Sequence, residues 1–233
     1  MTAKDKIRFL IIRSIGNFLV LFAIYGVLAT FGPALYFEVT YQLMRVRGVH
    51  FSVASQVAEK AQEVVQKPVK ASVSFGDILS GPKEQVLTPI DPMFDILIPK
   101  IGANVRIFPN IDPSNPNLFL PILQKGVAHA QGTFFPGQAG NIYLFAHSTD
   151  NFWDVGRYNA VFYLLKDLRE GDDIVIYYLN VRHNYKVTKM GTINPQEVSF
   201  ITHAQTGREV LILQTCWPPG TTWQRLLVFA EPK

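Results

Sequence analysis

The sequence predicts a mainly β domain, a mixed or closed barrel with one or two short helices, which follows an N-terminal transmembrane helix and a helical stalk. Three observations support this fold class. Residues 14–37 contain no charged side chain. Residues 53–65 contain helix formers and neither Gly nor Pro. From about residue 93 onward, short β-rich runs alternate with turns, without the strand–helix–strand rhythm of a doubly wound sheet.

Composition and charge exclude several classes of protein. Of 233 residues, 48% are hydrophobic and 17% are charged, which excludes an intrinsically disordered chain. The net charge of +4 arises in residues 1–47, with six basic and two acidic side chains. This excess lies beside an apolar run, not on a folded face, so nucleic-acid binding is not expected. The single cysteine excludes an internal disulfide and a multi-cysteine metal site.

The uncharged N-terminal run predicts a membrane anchor. As a helix it is long enough to cross the roughly 30 Å hydrocarbon core. Four basic side chains precede this run: Lys4, Lys6, Arg8 and Arg13. By the positive-inside rule they place the N-terminus in the cytoplasm and everything after residue 38 outside. Arg45 and Arg47, on the other side of the run, weaken this assignment. A buried core helix would rarely be apolar on every face, and a cleaved signal peptide has a shorter apolar region with a small-x-small site.

The rest of the chain divides by composition. We expect a tail and anchor in residues 1–38, a helical stalk and linker in 39–92, and a β-rich domain in 93–233. A short helix is expected at Tyr158–Leu165. The predicted strands are Asp95–Ile98, Ala103–Ile107, Asn141–Ala146, Asp173–Tyr178, His183–Met190, Glu209–Gln214 and Arg225–Ala230.

Three chemically active side chains each lie at the end of a predicted strand. Cys216 ends an apolar run just before Pro218 and Pro219, which cannot continue a ladder. His147 ends a second apolar run, and Arg225 opens a third. A thiol acyl transferase needs these groups, because the thiolate attacks, the histidine exchanges protons and the arginine stabilises the oxyanion or fixes the substrate. Taken alone, the cysteine could equally be buried and inert.

The motifs around these residues resemble the sortases, membrane-anchored cysteine transpeptidases of bacteria. The run Leu213-Gln214-Thr215-Cys216, with Arg225 nine residues later, is similar to the family's T-L-x-T-C and R-L-[IV]-V. Upstream, Gly126–His129, Pro136–Asn141 and Ala146–Ser148 follow the family pattern in order, and Ile98–Gly102 resembles its first strand. The resemblance covers roughly residues 93–233. Gln214 occupies the variable position of the cysteine motif, where it can influence substrate choice.

The resemblance implies a mechanism. Cys216 would attack the Thr–Gly bond of an L-P-x-T-G-like sorting signal on a secreted protein, and His147 would exchange protons with the leaving and incoming amines. Arg225 would contact the substrate or oxyanion, and the Thr215 hydroxyl would add a substrate or oxyanion contact. The acceptor would be a cell-envelope amine, in a peptidoglycan precursor, or a pilin lysine. No cofactor is implied; some members bind Ca²⁺, for which Asp172, Asp173 and Glu197 form at most a weak site.

Other residues are given less specific roles. His129 matches a second, non-catalytic histidine of the family, and His50, His183 and His203 have no motif around them. Asp91-Pro92-Met93-Phe94 is interpreted as a turn into the first strand, since Phe94 comes one residue late for a lid motif. Two other functions stay open: a non-catalytic, membrane-anchored binding module and a thiol hydrolase that uses water. An L,D-transpeptidase needs a histidine close to the cysteine in sequence, which is absent.

Overall fold

The N-terminal unit is a long apolar helix. The computed structural model describes residues 3–54, 84–148, 160–219 and 221–233. The chain forms two compact units, Met1–Thr40 and Tyr41–Lys233. Helix α1 runs over Ala3–Val46, and its segment Lys4–Leu28 is long and apolar enough to cross a membrane. The large apolar side chains of this segment are exposed, as a membrane-spanning helix requires. The predicted N-terminal helix is therefore confirmed.

The segment after α1 differs from the expected stalk. The helix ends at Val46, Gly48 follows at φ 67°, and the chain then forms strand β1, His50–Val53. A glycine in the left-handed region is a common helix terminator. Strand β1 pairs in parallel with β2, Glu84–Leu87, inside the expected linker. The remaining predicted stalk and linker, residues 55–83, lie outside the described residues, and the division at residues 38 and 92 stays a prediction.

Packing explains why β1 is a strand. Phe51 and Val53 alternate along it and pack against a buried apolar patch on the barrel wall, formed by Leu97, Val175 and Tyr177. Side chains with this period of two cover a flat sheet surface well. Packing on this apolar patch of the barrel wall thus stabilises an extended conformation that the sequence of β1 alone does not predict.

The strands between Phe94 and Pro232 close into an eight-stranded barrel, as predicted. Around the barrel the order is β10-β8-β7-β3-β4-β5-β6-β9, and only the pairs β4–β5 and β6–β9 are parallel. The strands are β3 Phe94–Ile98, β4 Ala103–Ile111, β5 Val127–Ala130, β6 Asn141–Phe145, β7 Asp173–Tyr178, β8 Val181–Ile193, β9 Val210–Trp217 and β10 Gln224–Pro232. Strand β5 was not expected.

The described helices that accompany the barrel are short. Helix α2, Pro116–Leu123, was not expected, because its prolines were interpreted as loop. It begins instead with Pro116 in the first turn, and the Asn115 side chain caps it by accepting from the Asn117 amide at 3.1 Å. A 3₁₀ helix at Ala160–Asp167 overlaps the predicted helix, of which residues 158–159 lie outside the described residues. Helix α3 is Ser199–Thr202, and Pro99–Ile101 forms one 3₁₀ turn.

Alternation along the strands separates two apolar clusters. Inside the barrel, β6 and β9 contribute Ile142, Leu144, Leu211 and Leu213 to the main core. The side chains that alternate with these point to the outer wall and form a second cluster, which α2 and α3 cover. This cluster contains Tyr143 and Phe145 from β6, Ile212 from β9 and Leu227 from β10. Each such aliphatic side chain contributes about 1.5–3 kcal/mol on full burial. The strand pairing near these clusters is therefore fixed from both faces.

Candidate active site

Strand pairing brings Cys216 and Arg225 together. In the antiparallel pair β9–β10, these two residues are direct partners, so their side chains project from the same face. Counting by twos from Ile212 and Leu227, which lie in the outer cluster, that face is the outer wall of the barrel. Both side chains are half-buried, and the cysteine is a free thiol.

The parallel pair β6–β9 leads the chain toward His147. The last pair in the ladder joins Phe145 to Gln214, and the Ala146 amide still donates to the Gln214 carbonyl at 3.2 Å. Strand β6 ends at Phe145, two residues before His147. The structure therefore pairs Cys216 with Arg225, and the prediction that His147 lies beside Cys216 stays a prediction.

The Thr215 hydroxyl is bonded within the fold. Thr215 is 2% exposed and lies on the opposite face of β9 from Cys216. Its Oγ1 donates to the carbonyl of Ala146 at 3.1 Å. The hydroxyl therefore joins the ends of β6 and β9, just before His147 and Cys216. Its contact with substrate or oxyanion stays a prediction.

The Arg225 guanidinium is anchored on the main chain. Its Nη1 donates to the carbonyls of Thr222 and Gln224, each at 3.2 Å. Within the described residues, no acceptor is recorded for its Nε or Nη2. One edge of the group is thus fixed by the protein, and the other N–H donors remain for a bound molecule.

Sequence reasoning missed Tyr143, which lies under the site. It is 2% exposed, and its hydroxyl donates to Gln214 Oε1 at 2.5 Å. Burial raises the pKa of Tyr143, and the nearby positive charge of Arg225 opposes that rise. A signal was present in the sequence, because Tyr143 lies an even number of residues before His147 in one apolar run, which predicts the same face for both in an extended chain.

His129 has the structural role expected of it. The ring is fully buried and stacks on Phe135, with the ring centroids 4.4 Å apart. Its Nδ1 accepts from the Asn110 amide at 3.3 Å, so Nε2 carries the proton and donates to the Phe134 carbonyl at 2.9 Å. Burial lowers the pKa of His129, which keeps the ring neutral. These bonds hold the loop after β5.

The glycine-rich turn before β6 depends on Glu209, a residue without a sequence signal. Gly137 adopts φ 86°, and its amide donates to Glu209 Oε1 at 2.9 Å. The buried Tyr185 hydroxyl donates to the same oxygen at 2.6 Å. At the end of the turn, Asn141 Nδ2 donates to the Phe200 carbonyl at 3.0 Å, which ties α3 to β6. The glycine-rich turn and Glu209 thus fix the starts of β6 and β9, and the candidate site lies at the opposite ends of these two strands.

The carboxylates considered for Ca²⁺ have protein partners. Asp172 pairs with Lys100 at 3.5 Å, and Asp173 pairs with Lys186 at 3.3 Å. Glu197 accepts from the Ser199 amide at 3.0 Å at the start of α3. Over the described part of the chain, no group of three or more His, Cys, Asp or Glu side chains is arranged to hold a metal ion.

Asp91–Phe94 forms a turn, as expected. The Asp91 carbonyl accepts from the Phe94 amide at 3.1 Å, and its carboxylate pairs with Arg106 Nε at 3.0 Å. Phe94 then enters β3 and packs its ring edge against Tyr178, 5.1 Å away between centroids.

Comparison with known proteins identifies the family. The sortase domain matches residues 96–233, more than half of the chain. Sortase D of Bacillus subtilis (strain 168) is 29% identical over 137 residues, which are 58% of this chain and 60% of that protein. The chain thus matches less than two thirds of that relative's length.

Solved structures agree with this match. Sortase C-1 from Actinomyces oris superposes with a TM-score of 0.52 at 28% identity, over 62% of this chain and 76% of that one. Clostridium perfringens sortase C, solved with its C-terminal cell wall sorting motif, gives 0.50 at 26% identity, over 60% and 69%. Because the domain match runs from Ile96, within β3, to the last residue and covers more than half of the chain, the chain belongs to the sortase family, whose members are cysteine transpeptidases.

Proposed function

We propose that this sortase cleaves an LPxTG-like sorting signal of a secreted protein and transfers the acyl part to an amine of the cell envelope or of a pilin. The observation that supports it most directly is the strand register, which pairs Cys216 with Arg225 and ends β6 two residues before His147. Nucleophile, proton carrier and oxyanion donor are the groups that acyl transfer through a thioester needs.

The first half-reaction forms a thioester. The Cys216 thiolate attacks the threonine carbonyl of the signal, and the C–S bond forms as the Thr–Gly C–N bond breaks. The imidazolium of His147 gives its proton to the leaving glycine amine. Negative charge that develops on the carbonyl oxygen is stabilised by the N–H donors of Arg225 that the main chain leaves available.

The second half-reaction forms the new amide. An incoming amine attacks the thioester carbonyl and loses its proton to His147, and the C–S bond breaks to release the Cys216 thiolate. The acceptor is a peptidoglycan-precursor amine or a pilin lysine. A related sortase C solved with a cell wall sorting motif supports a peptide signal of this kind as the acyl donor.

The proposed location is the outer side of the cell membrane. Helix α1 contains the apolar span Lys4–Leu28, and basic side chains flank its N-terminal part. We propose one membrane crossing with a cytoplasmic N-terminus and an extracellular barrel. There the enzyme meets proteins that have been secreted.

A transfer assay tests the proposed function. The full-length protein in detergent micelles is incubated with L-P-x-T-G peptides, without and with hydroxylamine, and the products are separated by mass. The peptide hydroxamate is expected only when amine is present, and Cys216→Ala is expected to give no product. Ser52→Ala serves as the control variant, because Ser52 lies on β1, away from the site.

Two outcomes would contradict this proposal. Peptide cleaved to the free acid alone, at the same rate with and without amine, would indicate a hydrolase. No cleavage of any peptide, with Cys216 still open to an alkylating reagent, would favour a binding module.

A further inference from the structure

Gln214 is the polar side chain closest along β9 to the nucleophile on the same face. It precedes Cys216 by two residues, so both side chains project from the outer wall about 6–7 Å apart. Its partners on the neighbouring strands are apolar, Phe145 on β6 and Leu227 on β10. Gln214 is half-buried. A single amide group therefore lies between two apolar neighbours, one level before the thiol on the same face.

Tyr143 fixes the orientation of this amide. Its hydroxyl donates to Gln214 Oε1 at 2.5 Å, and the tyrosine ring is itself buried. Because burial raises the pKa of Tyr143, the hydroxyl stays protonated and can donate at neutral pH. Because the buried tyrosine ring is itself fixed, the hydrogen bond from its hydroxyl orders the Gln214 side chain that accepts it. The carbonyl end of Gln214 is thus held toward β6.

The other end of the amide is left as a donor. Gln214 Nε2 has two N–H groups, and the structure records no acceptor for them among the residues it describes. The positive charge of Arg225 acts close enough to affect Tyr143, so the potential around the amide favours an electron-rich group. The described surroundings therefore suit an acceptor side chain, above all a carboxylate.

Substrate spacing brings one position of the signal to this amide. An extended peptide advances about 3.3 Å per residue. A signal that lies along β9 with its threonine carbonyl at Cys216 would thus have its preceding residue within reach of Gln214, two residues before the cysteine. That preceding residue is the variable position x of an L-P-x-T-G signal. We propose that Gln214, oriented by Tyr143, is a specificity-determining residue that selects a carboxylate or carboxamide side chain at position x.

This inference rests on the proposed transpeptidation and is tested by a preference ratio. The value of kcat/KM is measured for the full-length protein in detergent, with amine and with peptides that have Glu, Gln, Leu or Lys at x. The wild-type kcat/KM is expected to be about tenfold higher for the Glu and Gln peptides than for the Leu peptide, the ratio that one hydrogen bond to a charged or strongly polar group usually gives. Gln214→Leu is expected to lower kcat/KM for those two peptides alone, so that the ratio falls to about one.

Two further variants separate recognition from a merely structural role. Gln214→Glu replaces the donors by a negative charge and is expected to shift the preference to Lys at x. Tyr143→Phe removes the orienting hydroxyl and is expected to give an intermediate ratio. Gln131→Leu is the matched control, because Gln131 is exposed beyond the end of β5, and its ratio should equal that of the wild type.

The outcomes distinguish the two claims. A wild type without preference at x, or a Gln214→Leu variant that keeps the wild-type ratio, would overturn the role of Gln214 while transpeptidation stands. Loss of kcat/KM for all peptides equally in Gln214→Leu would also overturn it. Absence of transfer from every peptide by the wild type would overturn the proposed function and the inference with it.

Discussion

At the scale of single residues, Arg225 shows what a guanidinium can do that an ammonium cannot. Its Nη1 donates to two main-chain carbonyls, which fixes the plane of the group. The remaining N–H donors are thereby aimed while the charge is kept. A lysine has one rotatable ammonium, so it would lose either the bonds to the main-chain carbonyls or the donors directed at a bound molecule.

We predict that Arg225→Lys lowers kcat/KM for transpeptidation by about 10²-fold, although the positive charge remains. The measurement is steady-state transfer of an L-P-x-T-G peptide to hydroxylamine. Arg208→Lys, at an exposed position before β9, is the control and should retain wild-type activity. Wild-type kcat/KM in Arg225→Lys would show that charge alone suffices and would contradict the anchored geometry.

The site residues differ in how far their sequence revealed them. Cys216 and His147 each end an apolar run and Arg225 opens one, so their location near strand ends could be predicted. The sequence also contained the information that Thr215 faces away from Cys216, because adjacent strand residues alternate. The bond from Tyr143 to Gln214 could not be predicted, because it depends on the register between two strands that are far apart in the chain.

At the scale of elements, the turn into β3 encloses a buried acid. Asp95 is fully buried, and its carboxylate accepts from the amides of Ile90 at 2.6 Å and Ile96 at 3.1 Å. Burial raises its pKa to about 7, and the negative charge of Asp91 adds to the rise. Arg106, opposite Asp95 on β4, is paired with Asp91. The folded protein therefore favours the protonated form of Asp95.

This shift predicts a pH-dependent stability. The pKa of Asp95 rises from 3.8 in the reference state to about 7 in the folded chain. The stabilisation that this shift represents is complete below pH 3.8 and is lost as the pH rises through 7. Relative to Asp95→Asn, the wild-type free energy of unfolding should fall by a few kcal/mol, about 4 at most, between these limits.

Denaturant unfolding of the full-length protein in detergent, followed by tryptophan fluorescence at pH 4.5, 6.0 and 7.5, measures this difference. Glu170→Gln, on an exposed turn, serves as the control and should parallel the wild type at each pH. A difference between the wild type and Asp95→Asn that does not change with pH would contradict the raised pKa.

Elements that depend on local pattern were predicted, and elements that depend on packing were not. The β-rich runs gave β7 at its observed bounds and located β3, β6 and β9 to within a few residues. Strand β1 forms because the barrel wall offers Phe51 and Val53 an apolar patch. Helix α2 forms because a cap and an N-terminal proline start it, and Phe119 packs edge-on against Phe145 on β6, 5.9 Å between centroids.

At the scale of the whole molecule, a single cysteine makes the membrane topology measurable. Cys216 lies in the barrel, and no other position of the chain has a thiol. We predict that a membrane-impermeant maleimide labels Cys216 in intact cells that express the protein. In a Cys216→Ala background, Thr2→Cys should be labelled only after the membrane is permeabilised. The reverse pattern would place the barrel in the cytoplasm and contradict the proposed topology.

We propose that Cys216, assisted by His147, forms a thioester with the acyl part of a sorting signal. The intact mass of the full-length protein is measured after a brief incubation with an L-P-x-T-G peptide, and the adduct is located by peptide mapping. We expect an added L-P-x-T mass on Cys216 that disappears when hydroxylamine is supplied, and no such mass in Cys216→Ala or His147→Ala. An adduct that persists in Cys216→Ala, or one that maps to another residue, would contradict it.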